Sequence, residues 1–172
     1  MDGLEIFRNF ASRPIAQLRA LPQLTTEQLN ARPGDHPNSI SWLLWHAARQ
    51  ADVQLSELTG HAQLWKRGGY RAQLELGPLG DSFGLGHTPQ EAAEITLTSQ
   101  TLPSALDYLN AVIGEIVAYF PTADLDEVVD DSWDPPTTRG VRLVSLIDDC
   151  QQHVGAIMHI AGSVVGKPVG LA

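Results

Sequence analysis

Residues Ile40–Leu58 read ISWLLWHAARQADVQLSEL. Ile40, Leu43, Leu44, Ala47, Ala51, Leu55 and Leu58 recur at steps of three and four, the spacing that lines one face of an α-helix. Asn38 or Ser39 stands where an N-cap belongs. The same period returns elsewhere. A first helix is expected over about Leu4–Leu21, kinked or broken at Pro14. A third restarts at Pro103 and runs to about Phe120, with Leu106, Leu109, Val112, Ile113, Ile116, Val117 and Phe120 on one face. A fourth covers about Val141–Val165. Four amphipathic helices without convincing strands predict an all-α protein, a four-helix bundle in one domain over residues 1–172.

The connecting segments carry turn chemistry. Thr25–Leu29 reads as a short helical turn and Pro33–Pro37 as a loop. Gly60–Gly86 holds seven glycines and no sustained period, so a long irregular connection is expected there. Thr88–Pro89–Gln90–Glu91 has the capping-box form with proline at the first helical position. Asp130–Gly140 reads as a polar loop.

Composition narrows the function classes. The chain has 172 residues, 43% of them hydrophobic, and a net charge of −9 with only two lysines, Lys66 and Lys167. A duplex-binding surface needs clustered Lys and Arg, so no nucleic-acid partner is expected. No apolar run is long enough for a membrane span. MDGLEIFRNF lacks the basic and apolar regions of a secretory leader. With a lone cysteine, Cys150, these features make a cytoplasmic protein the expectation.

The fourth helix contains a polar pair in an apolar stripe. With His153 at the origin of a helical wheel, Asp149 lies about 40° away, and Leu146, Ile157, Ile160 and Val164 lie within about 40°. Both polar residues therefore point into the bundle. A buried carboxylate requires a partner or a cation. Two readings stay open: an Asp149–His153 ion pair or hydrogen bond, or a divalent metal gripped at i and i+4 with a third ligand from another helix. His46 is the best candidate for that ligand. A His, Asp, His set leaves open coordination positions, which suits a catalytic metal.

Other residues stand around that trio. Arg49, about 60° from His46, and Arg142 are candidates to clamp a substrate carboxylate, with surface ion pairs as the alternative. Trp45 could wall the site, and Trp42 reads as core. Cys150 reads as a small core residue rather than a fourth ligand. His87 lies in a loop that could reach the site mouth. Asp52 could orient a loop or pair with Arg49. The acidic run from Asp124 to Asp131 lacks the spacing of a calcium loop and reads as a solvated face.

NSISWLLWHAARQAD (Asn38–Asp52), GHTPQE (Gly86–Glu91) and WDPPTTRGVRLVSLIDDCQQHVGAIMHIAG (Trp133–Gly162), in that order, resemble the DinB-like superfamily. The nearest branch is related to the metal-binding domain of mycothiol-dependent maleylpyruvate isomerase. The resemblance implies up-down-down-up topology with a long crossover between the second and third helices. It also implies a zinc or nickel ion on three side chains, here His46, Asp149 and His153. Asp149 is shorter than the His or Glu that many relatives carry at this place. Several relatives are thiol-dependent transferases or isomerases using a low-molecular-weight thiol such as mycothiol. The expected function is therefore S-transfer to a small electrophilic substrate, in a homodimer. The alternatives are a non-enzymatic, stress-related binding protein and a metal-assisted hydrolase.

Overall fold

The structure is a computed structural model that describes residues 2–169. Eight α-helical segments appear in it: α1 (Gly3–Leu18), α2 (Thr26–Asn30), α3 (Ile40–Thr59), α4 (Leu64–Arg67), α5 (Tyr70–Leu74), α6 (Pro89–Glu94), α7 (Leu102–Tyr119) and α8 (Arg139–Val165). The sequence specifies several of their starts. Ser39 accepts from the Trp42 amide to cap α3, Thr138 accepts from the Val141 amide to cap α8, and Thr88 forms a reciprocal capping box with Glu91. Each satisfies amides that the first helical turn leaves unpaired. Gly60 and Gly166 close α3 and α8 in left-handed conformation, at φ 72° and 71°.

The four long helices form the bundle. α3 packs on α7 and α8, and α1 packs on the same two, so α1 and α3 occupy opposite corners. Contacts fix the directions. Arg49 bonds Tyr108 and the Leu58 carbonyl bonds Tyr119, so α3 and α7 run parallel. His46 meets His153 and Gln54 meets Arg142, so α3 and α8 run antiparallel. Phe7, near the start of α1, stacks on Phe120 at the end of α7, with ring centroids 4.0 Å apart. The topology is up-down-down-up. Parallel neighbours cannot be joined by a tight turn, which is why the connection between α3 and α7 is long.

Three sequence expectations are corrected. α1 passes through Pro14 without a break and ends at Leu18 rather than Leu21. Gly60–Gly86 is not wholly irregular, since it folds into α4, α5 and a 3-10 turn at Pro78–Asp81. A small antiparallel pair, β1 (Val128–Asp130) with β2 (Thr137–Thr138), interrupts the loop before α8. No helix among the described residues is long and apolar enough to cross a membrane.

A buried polar network fastens the crossover to α3. Arg49 is 1% exposed. Its guanidinium donates to the carbonyls of Asp81 and Ser82, both at 3.0 Å, to Gln63 Oε1 at 3.1 Å and to Tyr108 Oη at 3.2 Å. It also lies 3.6 Å from Asp52 and over the Trp65 ring. Asp52 accepts from the Leu64 and Trp65 amides, each at 2.8 Å, and from Tyr108 Oη at 2.7 Å. Burial raises the Tyr108 pKa, so the phenol keeps the proton it donates. Asp52 thus both orients a loop and pairs with Arg49.

Removing one member of a buried ion pair leaves the other charged and desolvated. Arg49→Met is expected to lower stability by about 3–5 kcal/mol. Urea unfolding followed by tryptophan fluorescence checks this; a loss below about 1 kcal/mol, typical of a surface pair, would show that the network does not hold the crossover.

Candidate metal and ligand site

On α3, Trp42, Trp45, His46 and Arg49 follow one another at i, i+3, i+4 and i+7, a single helical face. That face grips residues 81–87. Arg49 holds the carbonyls of Asp81 and Ser82, and His46 Nδ1 bonds the Phe83 carbonyl. Gly84 sits against the rings with φ +92°; a Cβ there would lie 2.9 Å from Trp45, 3.0 Å from His46 and 3.0 Å from Trp42. Only glycine combines this backbone with this approach. His87 closes the strap. Trp42 Nε1 donates to its Nδ1 at 3.3 Å, its Nε2 lies 2.9 Å from Ser82 Oγ, and its ring stacks on Trp45 at 5.6 Å. Both nitrogens of His87 are engaged, so it serves the strap.

His46 and His153 meet across the α3–α8 seam, with ring centroids 4.8 Å apart. His153 Nδ1 lies 2.8 Å from the Asp149 carbonyl oxygen, one turn back on its own helix. A carbonyl only accepts, so each ring carries its proton on Nδ1 and leaves the Nε2 lone pair free. This is the arrangement in which imidazoles bind metals, with the other nitrogen held by a carbonyl. Burial lowers the His46 pKa below its ordinary 6.5, which keeps the ring neutral. The bond to Phe83 acts the other way, and the nearby His153 lowers it further.

Asp149 approaches without completing a set. Its Oδ2 is buried, has no hydrogen bond and lies 3.4 Å from His153 Nδ1. Among the described residues, no three His, Cys, Asp or Glu side chains are arranged around one point. The donor types are those that divalent ions take, two imidazoles with no hydrogen bond at Nε2 and one carboxylate oxygen without a partner, but among the described residues they do not close around one point. Gripping an ion with all three requires the carboxylate to turn away from His153 Nδ1.

The other sequence candidates fall as follows. Trp45 is fully buried beside His46, walling the site. Arg49 is consumed by the crossover. Arg142 lies eleven residues before His153, about 16 Å along the helix, and bonds Gln54 and Asp130. Neither arginine faces the imidazoles as a carboxylate clamp. Cys150 is fully buried, its thiol near the Ala47 carbonyl and its pKa raised by burial. It is core and no ligand here. A cleft of about 310 Å³, lined by Trp42, His46, Gly84, Leu85 and His87 among others, opens on the strap side of His46 and is lined by neither His153 nor Asp149. The strap was missed in the sequence; the one available signal was glycine at 84 and 86 next to a histidine.

A bundle of this topology, with imidazoles facing each other between its second and fourth long helices, defines the class. A family model for the DinB superfamily matches residues 15–157, and the chain belongs to that superfamily. A crystal structure of a conserved protein from Enterococcus faecalis is similar over 97% of this chain and 99% of that one, at 31% identity and a TM-score of 0.85. Among curated proteins, none matches.

Two outcomes are expected from this geometry. Gly84→Ala should lower stability by about 1–3 kcal/mol, the scale of backbone strain, and shift the tryptophan emission as the strap lifts. A variant with unchanged emission and stability would show that the strap tolerates a side chain. Separately, the depressed His46 pKa makes the unfolded chain bind the proton first on acidification. Its contribution is fully present above the ordinary imidazole pKa and is lost as pH falls below it. Between pH 7.5 and 5.5 the wild type should therefore lose more stability in urea than His46→Gln, and equal slopes would contradict this.

Proposed function

We propose that this protein is a metal-dependent enzyme that transfers a low-molecular-weight thiol, of the mycothiol class, to a small electrophile. One observation carries the reading. Two imidazoles from distant segments each commit Nδ1 to a carbonyl and keep Nε2 free, beside a buried carboxylate oxygen that lacks a partner. His46, His153 and Asp149 would hold the ion. A bound divalent cation lowers the pKa of a thiol or water, giving the nucleophile near neutral pH.

The chain's own groups account for the rest. The Phe83 and Asp149 carbonyls fix the ring orientations. Trp45 and the strap shield one side of His46 from water. The cleft on the strap side of His46 is lined by tryptophan, histidine, proline, leucine and glycine with Asn38 and Ala92, without a carboxylate, lysine or arginine, which suits a neutral electrophile. With both arginines engaged elsewhere, no cationic clamp for a substrate carboxylate is built into this reading.

A second reading has its own support. The lean of Asp149 toward His153 Nδ1, and the absence of a closed three-residue set among the described residues, favour a structural polar cluster in a non-enzymatic binding protein. Metal uptake separates the two. Purified protein dialysed against zinc or nickel is expected to retain one equivalent by elemental analysis, and His153→Ala to retain little. Equal, near-zero content in both proteins would leave the structural reading standing. With metal bound, turnover that requires an added thiol supports transfer, and turnover in water alone supports hydrolysis.

A further inference from the structure

Six large apolar side chains stand exposed among the described residues, and four of them, Val128, Trp133, Val141 and Val144, come from one short piece of chain. The backbone holds that piece together. Val128 on β1 pairs with Thr138 on β2, and Thr138 caps α8. The Arg139 amide bonds the Glu127 carbonyl at 2.8 Å, and the Gly140 amide bonds the Leu125 carbonyl at 2.9 Å. Trp133 stands in the loop that joins the two strands and is 68% exposed. Val141 and Val144 lie one turn apart on α8, and the exposed Asp148 follows at the next turn. Apolar side chains gathered in this way mark an interaction site. Tryptophan is among the side chains most enriched where binding energy concentrates.

A polar cavity of about 470 Å³ opens against the same hairpin and shares Val128 with the patch. Three carboxylates, Glu57, Glu127 and Asp130, and two guanidiniums, Arg139 and Arg142, line it. Arg139 pairs with Glu127 and Arg142 with Asp130. Arg139 also bonds the Leu58 carbonyl and Tyr119 Oη, and Arg142 also bonds Gln54. The Glu57 carboxylate is exposed and has neither hydrogen bond nor ion pair among the described residues. The cavity therefore carries one uncompensated negative charge, which a single cationic side chain would offset.

The charge around the patch decides what covers it. From Asp124 to Asp148 the chain carries seven acidic residues and two basic ones, and both basic ones are engaged in the cavity. A second copy seated symmetrically would press this acidic run against itself, and like charges across an interface are costly. We propose that the β1–β2 hairpin and the first turns of α8 form a docking surface for a segment of another protein in which a lysine or arginine is flanked by apolar side chains. The cation enters the cavity beside Glu57, and the apolar residues cover Trp133, Val141 and Val144. Asp148 offers a carboxylate to a second basic residue at the edge. The surface uses neither His46 nor His153 and is independent of the metal reading.

The test uses the full-length protein and a fluorescein-labelled helical peptide of leucine and lysine, with a copy carrying glutamate for lysine as control. Fluorescence anisotropy should show binding of the lysine peptide alone, weakening as salt is raised. Trp133→Ser should weaken it about tenfold or more. Glu57→Gln should weaken it about twofold to fivefold, the equivalent of one exposed ion pair. Two controls sit elsewhere. Leu85→Ser removes the exposed apolar side chain of the strap, Glu94→Gln removes an exposed carboxylate of α6, and both should bind as the wild type does. All four substitutions fall at exposed positions, so thermal unfolding should stay near that of the wild type.

A wild type that does not bind the lysine peptide, or binds the glutamate peptide equally, overturns the proposal. So does unchanged affinity in Trp133→Ser or in Glu57→Gln. Equal losses in Glu57→Gln and Glu94→Gln overturn it as well, since they would mean diffuse attraction by the net charge of −9. Self-association in sedimentation that Trp133→Ser abolishes would assign the face to a second copy and overturn it too.

Discussion

A single buried guanidinium organises this bundle. Two parallel neighbours, α3 and α7, require the chain to travel back along the bundle between them. A connection of that length needs attachment points, because its backbone groups must find partners wherever they are buried. Arg49 supplies several at once. It holds two successive carbonyls of the returning strap, reaches Tyr108 on α7 and offsets the charge of Asp52, which in turn caps α4. The desolvation of both charges is compensated only because nearly every donor and acceptor among them is used.

The candidate site is a consequence of that attachment. The face of α3 that carries Arg49 also carries His46, Trp45 and Trp42. Once Arg49 has drawn Asp81 and Ser82 down, the Phe83 carbonyl meets His46 and Gly84 slides between the rings. The tautomer of His46, and with it the availability of Nε2, therefore depends on a residue that has no contact with the opposing imidazole. Fold stability and site chemistry share one helix face.

Much of the bundle was legible before any coordinates. Helix periods and caps located α3, α7 and α8 within about two residues; of the polar pair expected to point inward, His153 is mostly covered, whereas the Asp149 side chain is 41% exposed with only its Oδ2 buried. His46 was the candidate for the facing ligand from its place on the second helix, and the family resemblance implied the same residue. Less was legible where partners come from distant segments. Arg49 and Arg142 carry the same charge and look alike in sequence. One is spent on carbonyls that lie more than thirty residues away, and the other on a glutamine one helix over. At Pro14 a kink or a break was expected, and the helix continues through it without a break. The glycine-rich connection hid α4 and α5, because helices this short arise from docking rather than from propensity.

The sequence alone determined the long helices, their buried faces and the placing of Asp149 and His153 one turn apart on α8, since these depend on residues three or four apart. Only the tertiary structure decided which nitrogen of each histidine is free and which arginine is buried. Those properties are set by hydrogen-bond partners from other elements, and no local spacing encodes them.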